Sequence, residues 1–329
     1  MSARTVELSV AMCTFDGAPF LEEQLVSIGE QSRPPDELVI CDDGSSDGSF
    51  EAIERFSRAA PFPVRLVVNG RRLGPTKNFE KAISLCQGTL IALADQDDVW
   101  HPDKLATQEE LLRSAGLDAV FSDAEVVGPD LQPLGYRLWD AVGFDRRDRT
   151  LVRLGRPLDV LLRKDVVMGA TLLFRARHRA VVLPIPEGWV HDAWIALVIA
   201  AAGRVGFVER PLVMYRQHGA NQIGARARRT GLLSGLSAAY RASGETFARQ
   251  VDRYLAACES FRALVGGGRV DRTVLEEIET KADHVRSRAR LPRRRIARVP
   301  LVAKELFRGR YHRYSGGWRS VGKDLLRAT

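Results

Sequence analysis

Three carboxylates stand within four residues of the sequence, at Asp95, Asp97 and Asp98, directly after an apolar stretch over residues 89–94 that predicts a buried strand. Carboxylates this close repel one another, so a cation is expected among them. A hard divalent ion that shares oxygen ligands between carboxylates and a diphosphate meets this need, and Mg²⁺ or Mn²⁺ is the usual choice. The alternative is a helix N-terminus, whose dipole favours acidic residues, although one acid would suffice there.

Polar residues also end three other predicted strands. Thr14 closes the first strand, Asp42 and Asp43 the second, and Asn69 the third. In open parallel sheets, ligands bind beyond the carboxyl ends of the strands. Any one cluster is explained equally well by a turn, because Asp, Asn and Gly favour turns. Four clusters at the same edge indicate a shared binding crevice.

The elements that must position these residues alternate between strand and helix patterns. Apolar runs predict five strands, at residues 6–14, 37–42, 64–69, 89–94 and 119–127. The segments between them have helical spacing. Such alternation implies right-handed crossovers, and therefore an α/β fold with a mainly parallel sheet flanked by helices.

The pattern changes after residue 151. We predict a short helix at residues 158–163, a strand at 169–174, a helix at 190–202 and a strand at 205–215 that breaks at Pro211. Further on the sequence becomes helical, with helices predicted at residues 232–264 and 272–288 and a less regular end.

Charge divides the chain at about the same place. Residues 226–329 hold 24 Lys and Arg against 10 Asp and Glu, whereas residues 1–225 hold 25 against 31. This asymmetry predicts two regions with different roles, a catalytic domain at residues 1–225 and a basic α-helical region at residues 226–329. The longest strongly apolar run, residues 193–203, is shorter than the about 20 residues of a membrane-spanning helix. The four cysteines form no CxxC pair, and we predict a cytoplasmic location.

Six motifs in this order resemble family 2 glycosyltransferases with the nucleotide-sugar-binding fold called GT-A. The resemblance covers residues 6–225. The motifs are VAMCTFDG at residues 10–17, ELVICDDGSSDGS at 37–49, NGRRLGPTKNFEKAI at 69–83, ALADQDDVWHPDKL at 92–105, HDAWIAL at 191–197 and ERPLVMYRQHGANQIGA at 209–225. The combination of DQDDVW and YRQHG is similar to the rhamnosyltransferase-type members that build bacterial surface polysaccharides.

The resemblance implies roles for the residues at the strand ends. Thr14 is expected in the first donor loop, and Asp42 is expected to hydrogen-bond the pyrimidine base with Asp43 close behind it. Asp95 is expected to approach the ribose or the water shell of the metal. Asp97 is expected to ligate the metal.

Asp98 is expected to orient the metal-binding residues without binding the metal itself. After the last strand, His218 is a candidate further metal ligand and Arg216 a candidate partner of the diphosphate. A surface loop with incidental Arg and His is the alternative from the residues alone. Family members carry a basic loop here that folds over the donor, which favours the functional role.

Asp192 is expected to be the general base, because it matches the second residue of the Glu-Asp pair of the family. His191 stands where many members have Glu, and Asp16 stands where many have Asn. From the residues alone, Asp192 begins an apolar helix, where a water-poor site would raise its pKa toward a useful value. A helix cap is the alternative role.

Together these features predict an inverting glycosyltransferase that uses Mg²⁺ or Mn²⁺. It would move a sugar, with rhamnose as a candidate, from a dTDP- or UDP-linked donor to a hydroxyl of a glycan or lipid-linked acceptor. No GxGxxG or GxxxxGK[ST] motif follows an early strand, which argues against dehydrogenases and P-loop enzymes. A nucleotide-sugar-binding protein without transferase activity stays open as an alternative.

The basic C-terminal region predicts a partner surface. Between residues 284 and 329, 14 Lys and Arg are interspersed with apolar residues, against two acids. A peripheral contact with anionic lipid would use both kinds of residue. A helical cap that packs on the catalytic domain is the alternative. Nucleic acid is not expected, because no recognisable reading motif is present.

Overall fold

The computed structural model describes residues 6–218 and 244–327, and the chain divides into two units. The predicted boundary between residues 225 and 226 lies outside the described residues and stays a prediction. Within the described residues, the larger unit holds residues 6–155, 166–185 and 190–218, and the smaller unit holds residues 156–165, 186–189 and 244–327.

The larger unit alternates strands and helices through most of its length. Its strands are β1 (Leu8–Thr14), β2 (Glu37–Asp42), β3 (Val64–Val68), β4 (Leu90–Ala94), β5 (Val99–Trp100), β6 (Ala119–Val127), β7 (Pro133–Arg137), β8 (Leu172–Arg175) and β9 (Val205–Arg216). Its helices are α1 (Ala18–Gly29), α2 (Ser49–Ala59), α3 (Pro75–Leu85), α4 (Lys104–Ser114), α5 (Leu138–Val142), α6 (Arg146–Arg153), α8 (Arg179–Val182) and α9 (His191–Ala202).

Among the described residues the strands form one sheet, in the order β3-β2-β1-β4-β8-β6-β9-β5, with β7 paired to β6. Strands β1 to β4 pair in parallel, and so do β6 and β9. Strand β8 runs antiparallel to both β4 and β6 and joins these two parallel groups. The predicted α/β class with a mainly parallel sheet is confirmed.

Burial explains why these strands read as apolar runs. Every residue of β1, β2 and β4 is buried, as expected for strands covered on both faces. Helix α1 packs Leu21, Leu25 and Ile28 into the core, at spacings of four and three residues on one face.

Local structure departs from the sequence prediction in several places, including the short helices α5, α6 and α8, which were not predicted. The strand predicted at residues 169–174 is a 3₁₀ turn at Gly169–Thr171 followed by β8. The predicted break at Pro211 is a shift of register within one continuous strand, β9. Strands β5 and β7 were not predicted, because a two-residue strand and an exposed edge strand carry little apolar signal.

The smaller unit is helical in its described part. Its helices are α7 (Pro157–Leu161), α10 (Gly244–Gly266), α11 (Arg272–Ala289), α12 (Arg295–Phe307), α13 (Arg310–Tyr314) and α14 (Trp318–Leu326). The start predicted for α10, at residue 232, lies outside the described residues. The prediction of a less regular end was wrong, since α12, α13 and α14 pack Val302, Tyr311 and Val321 with Leu291 into a small core. These helices were missed because each buries only a few apolar side chains among many basic ones.

Among the described helices, none combines the length and the apolar character needed to cross a lipid bilayer.

Candidate active site

The register of the sheet brings the polar strand ends to one edge. Thr14 at the end of β1 pairs with Asp42 at the end of β2, and Asp42 pairs with Val68 at the end of β3. On the other side, Met12 of β1 pairs with Ala94, the last residue of β4. All four predicted clusters therefore follow the same edge of the sheet.

Asp42 organises the turn that follows β2. It is fully buried, and its Oδ2 accepts hydrogen bonds from the hydroxyls of Thr14 and Ser45, both at 2.6 Å. Its Oδ1 accepts from the backbone N–H groups of Gly44 at 2.9 Å and Ser45 at 2.7 Å. Both carboxylate oxygens are thus engaged by the protein, and the predicted contact with a base stays a prediction.

Asp43 ties the same turn to the segment after β3. Its Oδ1 accepts from Asn69 Nδ2 at 2.9 Å and from the Leu73 N–H at 2.7 Å. Its Oδ2 accepts from the N–H of Gly74 at 2.7 Å, just before α3. Asp42 and Asp43 therefore hold three loops of the crevice in one arrangement.

Residues 95–98, which follow β4, form what we call the acidic loop. Gln96 connects this loop to the loop after β1. Its Oε1 accepts from the Phe15 N–H at 2.8 Å and its Nε2 donates to the Phe15 carbonyl at 3.1 Å. Gly17 lies beside it so closely that a Cβ there would stand 2.4 Å from Oε1 of Gln96. Asp16 adopts a positive φ of 43°, which Asp and Asn tolerate better than most residues.

The acidic loop contains carboxylates that raise one another's pKa. Burial, and then the charges of Asp97 and Asp192, raise the pKa of Asp95 to about 8. Burial followed by the charges of Asp97 and Asp95 raises the pKa of Asp98 well above its usual range. Asp98 is 1% exposed, and its Oδ2 has no hydrogen-bond partner among the described residues. The predicted repulsion is thus present, and Asp192 lies close enough to contribute to it.

Arg216, the last residue of β9, holds the acidic loop through hydrogen bonds to Asp97 and Asp98. Its backbone N–H donates to Asp98 Oδ1 at 3.0 Å, and its Nε donates to the Asp97 carbonyl at 2.7 Å. Its other guanidinium nitrogens donate to Glu23 and to the carbonyl of Pro129. The side chain is 2% exposed. The structure therefore gives Arg216 a positioning contact with the acidic loop, and its predicted pairing with a diphosphate stays a prediction.

His218, two residues further on, reaches the same loop. Its Nε2 lies 2.8 Å from Oδ2 of Asp97, and its ring lies 4.5 Å from the ring of Phe20 between centroids. The two residues predicted as metal ligands are therefore brought together, although 121 positions separate them in the chain.

Asp192 lies at the start of α9 and is 7% exposed. Its Oδ2 accepts from the Gly169 N–H at 3.0 Å, and its Oδ1 accepts from the Ala193 N–H at 2.6 Å. The cap of α9 is Val190, not Asp192, but the contact with Ala193 satisfies a backbone N–H of the first helical turn, and the two contacts fix the direction of the carboxylate. Asp95 accepts a hydrogen bond from the backbone N–H of Ala170, next to Gly169, so Asp95 and Asp192 bind adjacent residues of the same 3₁₀ turn.

The neighbouring His191 is buried against the ring of Phe79, with 3.9 Å between centroids and 18° between planes. Neither ring nitrogen has a hydrogen-bond partner among the described residues. Burial lowers the pKa of His191 to about 3, so the ring is neutral. His191 therefore contributes packing next to Asp192 and no charge.

Lys104 was missed by the sequence prediction. It is fully buried, with Nζ 3.4 Å from the centroid of the Trp100 ring. Burial lowers the pKa of Lys104 to about 7, against the opposing pull of the Asp98 and Asp95 charges. The signal was a cation in the first turn of a helix, where the dipole disfavours it.

The residues at the loop fit a divalent ion, although among the described side chains no group of three His, Cys, Asp or Glu is arranged as a closed metal site. Asp97 and His218 would supply one oxygen and one nitrogen ligand, and the donor diphosphate and water would complete the shell. The repulsion that raises the pKa of Asp95 and Asp98 is what such an ion would relieve.

Comparison with known proteins agrees with this geometry. Residues 9–181, more than half of the chain, match the model of glycosyl transferase family 2. An uncharacterised glycosyltransferase of Nostoc is 24% identical over 231 residues, which are 66% of this chain and 66% of the relative, just under two thirds of its length. A dTDP-rhamnosyl transferase of Shigella flexneri is 26% identical over 224 residues, 65% of this chain and 74% of the relative.

Among solved structures, a mannosyltransferase of Pyrobaculum calidifontis in complex with GDP-Man and Mn²⁺ superimposes with a TM-score of 0.51. It is 17% identical, and the match covers 98% of this chain and 86% of the mannosyltransferase, so the similarity shows the fold. The chain therefore belongs to glycosyl transferase family 2 and has the GT-A fold.

Proposed function

We propose that this glycosyltransferase is an inverting, divalent-metal-dependent enzyme. It transfers a sugar from a nucleoside-diphosphate donor to a hydroxyl of a glycan or lipid-linked acceptor. The observation that carries the proposal is that Asp95 and Asp192 accept hydrogen bonds from the adjacent residues Ala170 and Gly169, while His218 Nε2 lies 2.8 Å from Oδ2 of Asp97 in the same loop as Asp95. A metal-binding carboxylate and a separate carboxylate base are the two parts that an inverting transfer needs.

Asp97 and His218 would hold the ion, and Asp95 would reach it through water. When bound, Mg²⁺ or Mn²⁺ supplies positive charge that stabilises the departing diphosphate. The mannosyltransferase of similar fold is in complex with Mn²⁺, which supports the assignment. Asp98, held by Arg216, positions Asp97 from behind.

In the proposed step, Asp192 takes the proton of the acceptor hydroxyl. The hydroxyl oxygen then forms a bond to the anomeric carbon while the bond from that carbon to the diphosphate oxygen breaks. The electron pair leaves with the nucleoside diphosphate, and the anomeric configuration inverts. The hydrogen bonds from the Gly169 and Ala193 N–H groups orient Asp192 for this role.

For the donor we propose a dTDP- or UDP-linked sugar, with rhamnose as the first candidate. The relative from Shigella flexneri is a dTDP-rhamnosyl transferase, and the match covers 74% of its length. Thr14, Asp42 and Asp43 would face the nucleoside through the turn that they organise, and Arg216 would lie beside the diphosphate.

We further propose that the smaller unit contacts an anionic lipid surface at the inner face of the cell membrane. Helix α12 carries Ile296, Val299 and Phe307 at spacings of three and eight residues on one face, 88%, 53% and 92% exposed. Exposed Arg295 and Lys304 flank them. Apolar side chains that insert among headgroups, next to cations that attract anionic lipid, favour a membrane surface.

The experiment that tests the transferase proposal uses the full chain with Mn²⁺ or Mg²⁺ and a panel of nucleotide sugars, including dTDP-rhamnose. Donor hydrolysis or transfer should appear with one sugar and stop with a chelator. Proton NMR of the product should show the inverted anomer. Equal turnover with and without the chelator would contradict the metal assignment, and a retained anomer would contradict the single displacement.

A further inference from the structure

A basic cavity lies entirely within the smaller unit and is not used by the proposed reaction. It has a volume of about 400 Å³ and is lined by residues of α11, α12 and α13. Six cations and two acids line it: Arg286, Arg288, Arg290, Lys304, Arg308, Arg310, Asp283 and Glu305. We call it the C-terminal pocket. Its volume lies within the about 300–1,000 Å³ range of small-molecule sites.

Half of the cations of this pocket are neutralised by nearby carboxylates. Arg286 pairs with Asp283 at 2.8 Å and Arg310 with Glu305 at 3.2 Å. Arg288 donates to the buried Asp324, which lies outside the lining, at 2.6 Å. These ion pairs hold three of the lining arginines in place.

The other three cations, Arg290, Lys304 and Arg308, form no ion pair with any residue in the described part of the chain. All three are exposed. Lys304 lies in the last turn of α12 and Arg308 caps its C-terminus four residues later, so the two lie on the same side. Arg290, which caps the C-terminus of α11, lines the same cavity. Three cations held together in a concave surface attract an anion of more than one charge.

The pocket also has an apolar side. Leu291, Leu301 and Tyr311 line it with the cations, and Tyr311 is fixed by its hydroxyl, which donates to Asp324 at 2.7 Å. Leu301 precedes Lys304 by three residues and therefore shares its face of α12. A ligand with a multiply charged end and a less polar body would match both parts.

We propose that the C-terminal pocket binds a phosphoryl group, as a phosphate monoester or diphosphate, through Arg290, Lys304 and Arg308. A diphosphate carries several acceptor oxygens and negative charges, which match guanidinium and ammonium donors better than a single carboxylate does. The ligand is either a soluble phosphate or the phosphate of a lipid-linked molecule. The inference does not depend on the transferase proposal, because it concerns residues of a different unit.

The test measures binding of inorganic pyrophosphate to the full chain by calorimetry, in low salt with EDTA so that no divalent ion can bridge a diphosphate to Asp97. The double variant Lys304→Gln/Arg308→Gln should weaken binding at least about tenfold, since each lost charge-assisted hydrogen bond costs about a factor of ten or more. The control Arg319→Gln/Lys323→Gln removes the same charge from exposed residues that do not line the pocket. It should bind as the natural chain does.

Equal weakening in both double variants, or no pyrophosphate binding to the natural chain, would overturn the proposal. Thermal unfolding of each variant checks that the smaller unit folds. If the double variant unfolds, the single variant Arg290→Gln replaces it, since this residue is exposed at the end of α11. It should weaken binding about tenfold, and unchanged binding would contradict the role of the pocket.

A second arm distinguishes the two sources of the phosphoryl group. Farnesyl diphosphate replaces inorganic pyrophosphate under the same conditions. Binding at least about tenfold tighter, with the gain removed by Leu301→Gln, assigns the pocket to a lipid-linked phosphate. Equal affinity for the two probes assigns it to a soluble phosphate.

Discussion

Two clusters of buried charge, one in each unit of the protein, hold their carboxylates in opposite ways. At the acidic loop of the larger unit, burial and like charges raise the pKa of Asp95 and Asp98. In the smaller unit, the buried carboxylate of Glu305 lies beside His284 and Arg310. Burial alone would raise the pKa of Glu305, yet the hydrogen bond with His284 and the charges of Arg310 and His284 hold it below its usual value.

Raised carboxylate pKa values at the acidic loop indicate a site that binds a cation, whereas the lowered pKa of Glu305 indicates a network that stabilises the fold. His284 contacts Glu305 at 2.7 Å and Ser315 at 2.9 Å, so each buried polar atom of this network has a partner. Asp98 Oδ2 has none among the described residues. Uncompensated carboxylates at the edge of a sheet indicate function, because a purely structural site would not retain them.

The largest effect should follow removal of Asp97. Asp97→Asn is expected to abolish metal-dependent donor binding and transfer, because it removes an anionic ligand of the proposed ion. The melting temperature should stay the same or rise, since one repelling carboxylate is gone. Calorimetric titration of the donor with Mn²⁺ measures the first effect and thermal unfolding the second. Asp103→Asn, at an exposed acid near the same loop, is the control and should bind donor normally.

If Asp97→Asn binds donor normally, the metal assignment fails. If it melts well below the natural chain, Asp97 belongs with the structural charges, and the contrast between the two units is lost.

The next effect concerns the base. Asp192→Asn should leave donor affinity nearly unchanged and lower transfer by about 10²–10⁴-fold, the usual contribution of a positioned general base. Asn keeps one acceptor oxygen and can therefore retain only one of the hydrogen bonds from the Gly169 and Ala193 N–H groups, so thermal unfolding of the variant checks that the start of α9 is preserved. Steady-state kinetics at saturating donor, with the donor dissociation constant measured separately, distinguishes the two parts. Weak donor binding with normal transfer would give Asp192 a structural role.

A smaller effect is expected at the exposed face of α12. Ile296→Ser/Phe307→Ser should reduce binding of the full chain to anionic vesicles by about tenfold or more, because each buried apolar side chain contributes about 1.5–3 kcal/mol. Co-sedimentation with anionic and with neutral vesicles measures this. Leu154→Ser, which changes a 68% exposed leucine of the larger unit, is the control. Equal sedimentation of all three proteins would contradict the membrane proposal.

The features that could be predicted from the sequence are those that depend on residues close together in the chain. The bounds of β2 and β6 match the prediction, because long apolar runs between turn residues have few alternatives. The acidic loop was identifiable because three carboxylates in four residues are rarely needed for a turn or cap. The family was predicted from motifs in order and is confirmed over residues 9–181.

The rest depends on contacts between distant residues. Strand β8 separates β4 from β6 and runs antiparallel to both, which no local pattern encodes. Asp42 looks like a ligand-binding acid in the sequence, yet four hydrogen bonds from neighbouring protein groups engage its carboxylate. Lys104 looks like a surface residue at a helix start, yet it is buried behind the acidic loop. The position of β8, the hydrogen bonds of Asp42 and the burial of Lys104 all depend on contacts with residues distant in the chain, which residue types alone do not determine.

The smallest predicted effect compares two buried histidines, one in each unit. Burial lowers the pKa of His191 to about 3, below the value of about 6.5 for an unfolded chain. Its contribution to stability is therefore complete above pH 6.5 and is lost as the pH falls from 6.5 toward 3. Between neutral pH and pH 5.5 the free energy of unfolding should drop by about 1 kcal/mol through this residue.

The variant His191→Phe tests this directly. Phenylalanine can stack on Phe79 as the imidazole does, and no described residue hydrogen-bonds either ring nitrogen of His191. The variant should be about as stable as the natural chain at pH 7.5 and more stable at pH 5.5. By contrast, His284→Phe should destabilise at both pH values, because it removes one buried hydrogen bond from each of Glu305 and Ser315. Denaturant unfolding at the two pH values measures both variants. If His191→Phe destabilises equally at both, its ring nitrogens have a structural role like those of His284, and the contrast between the two buried histidines disappears.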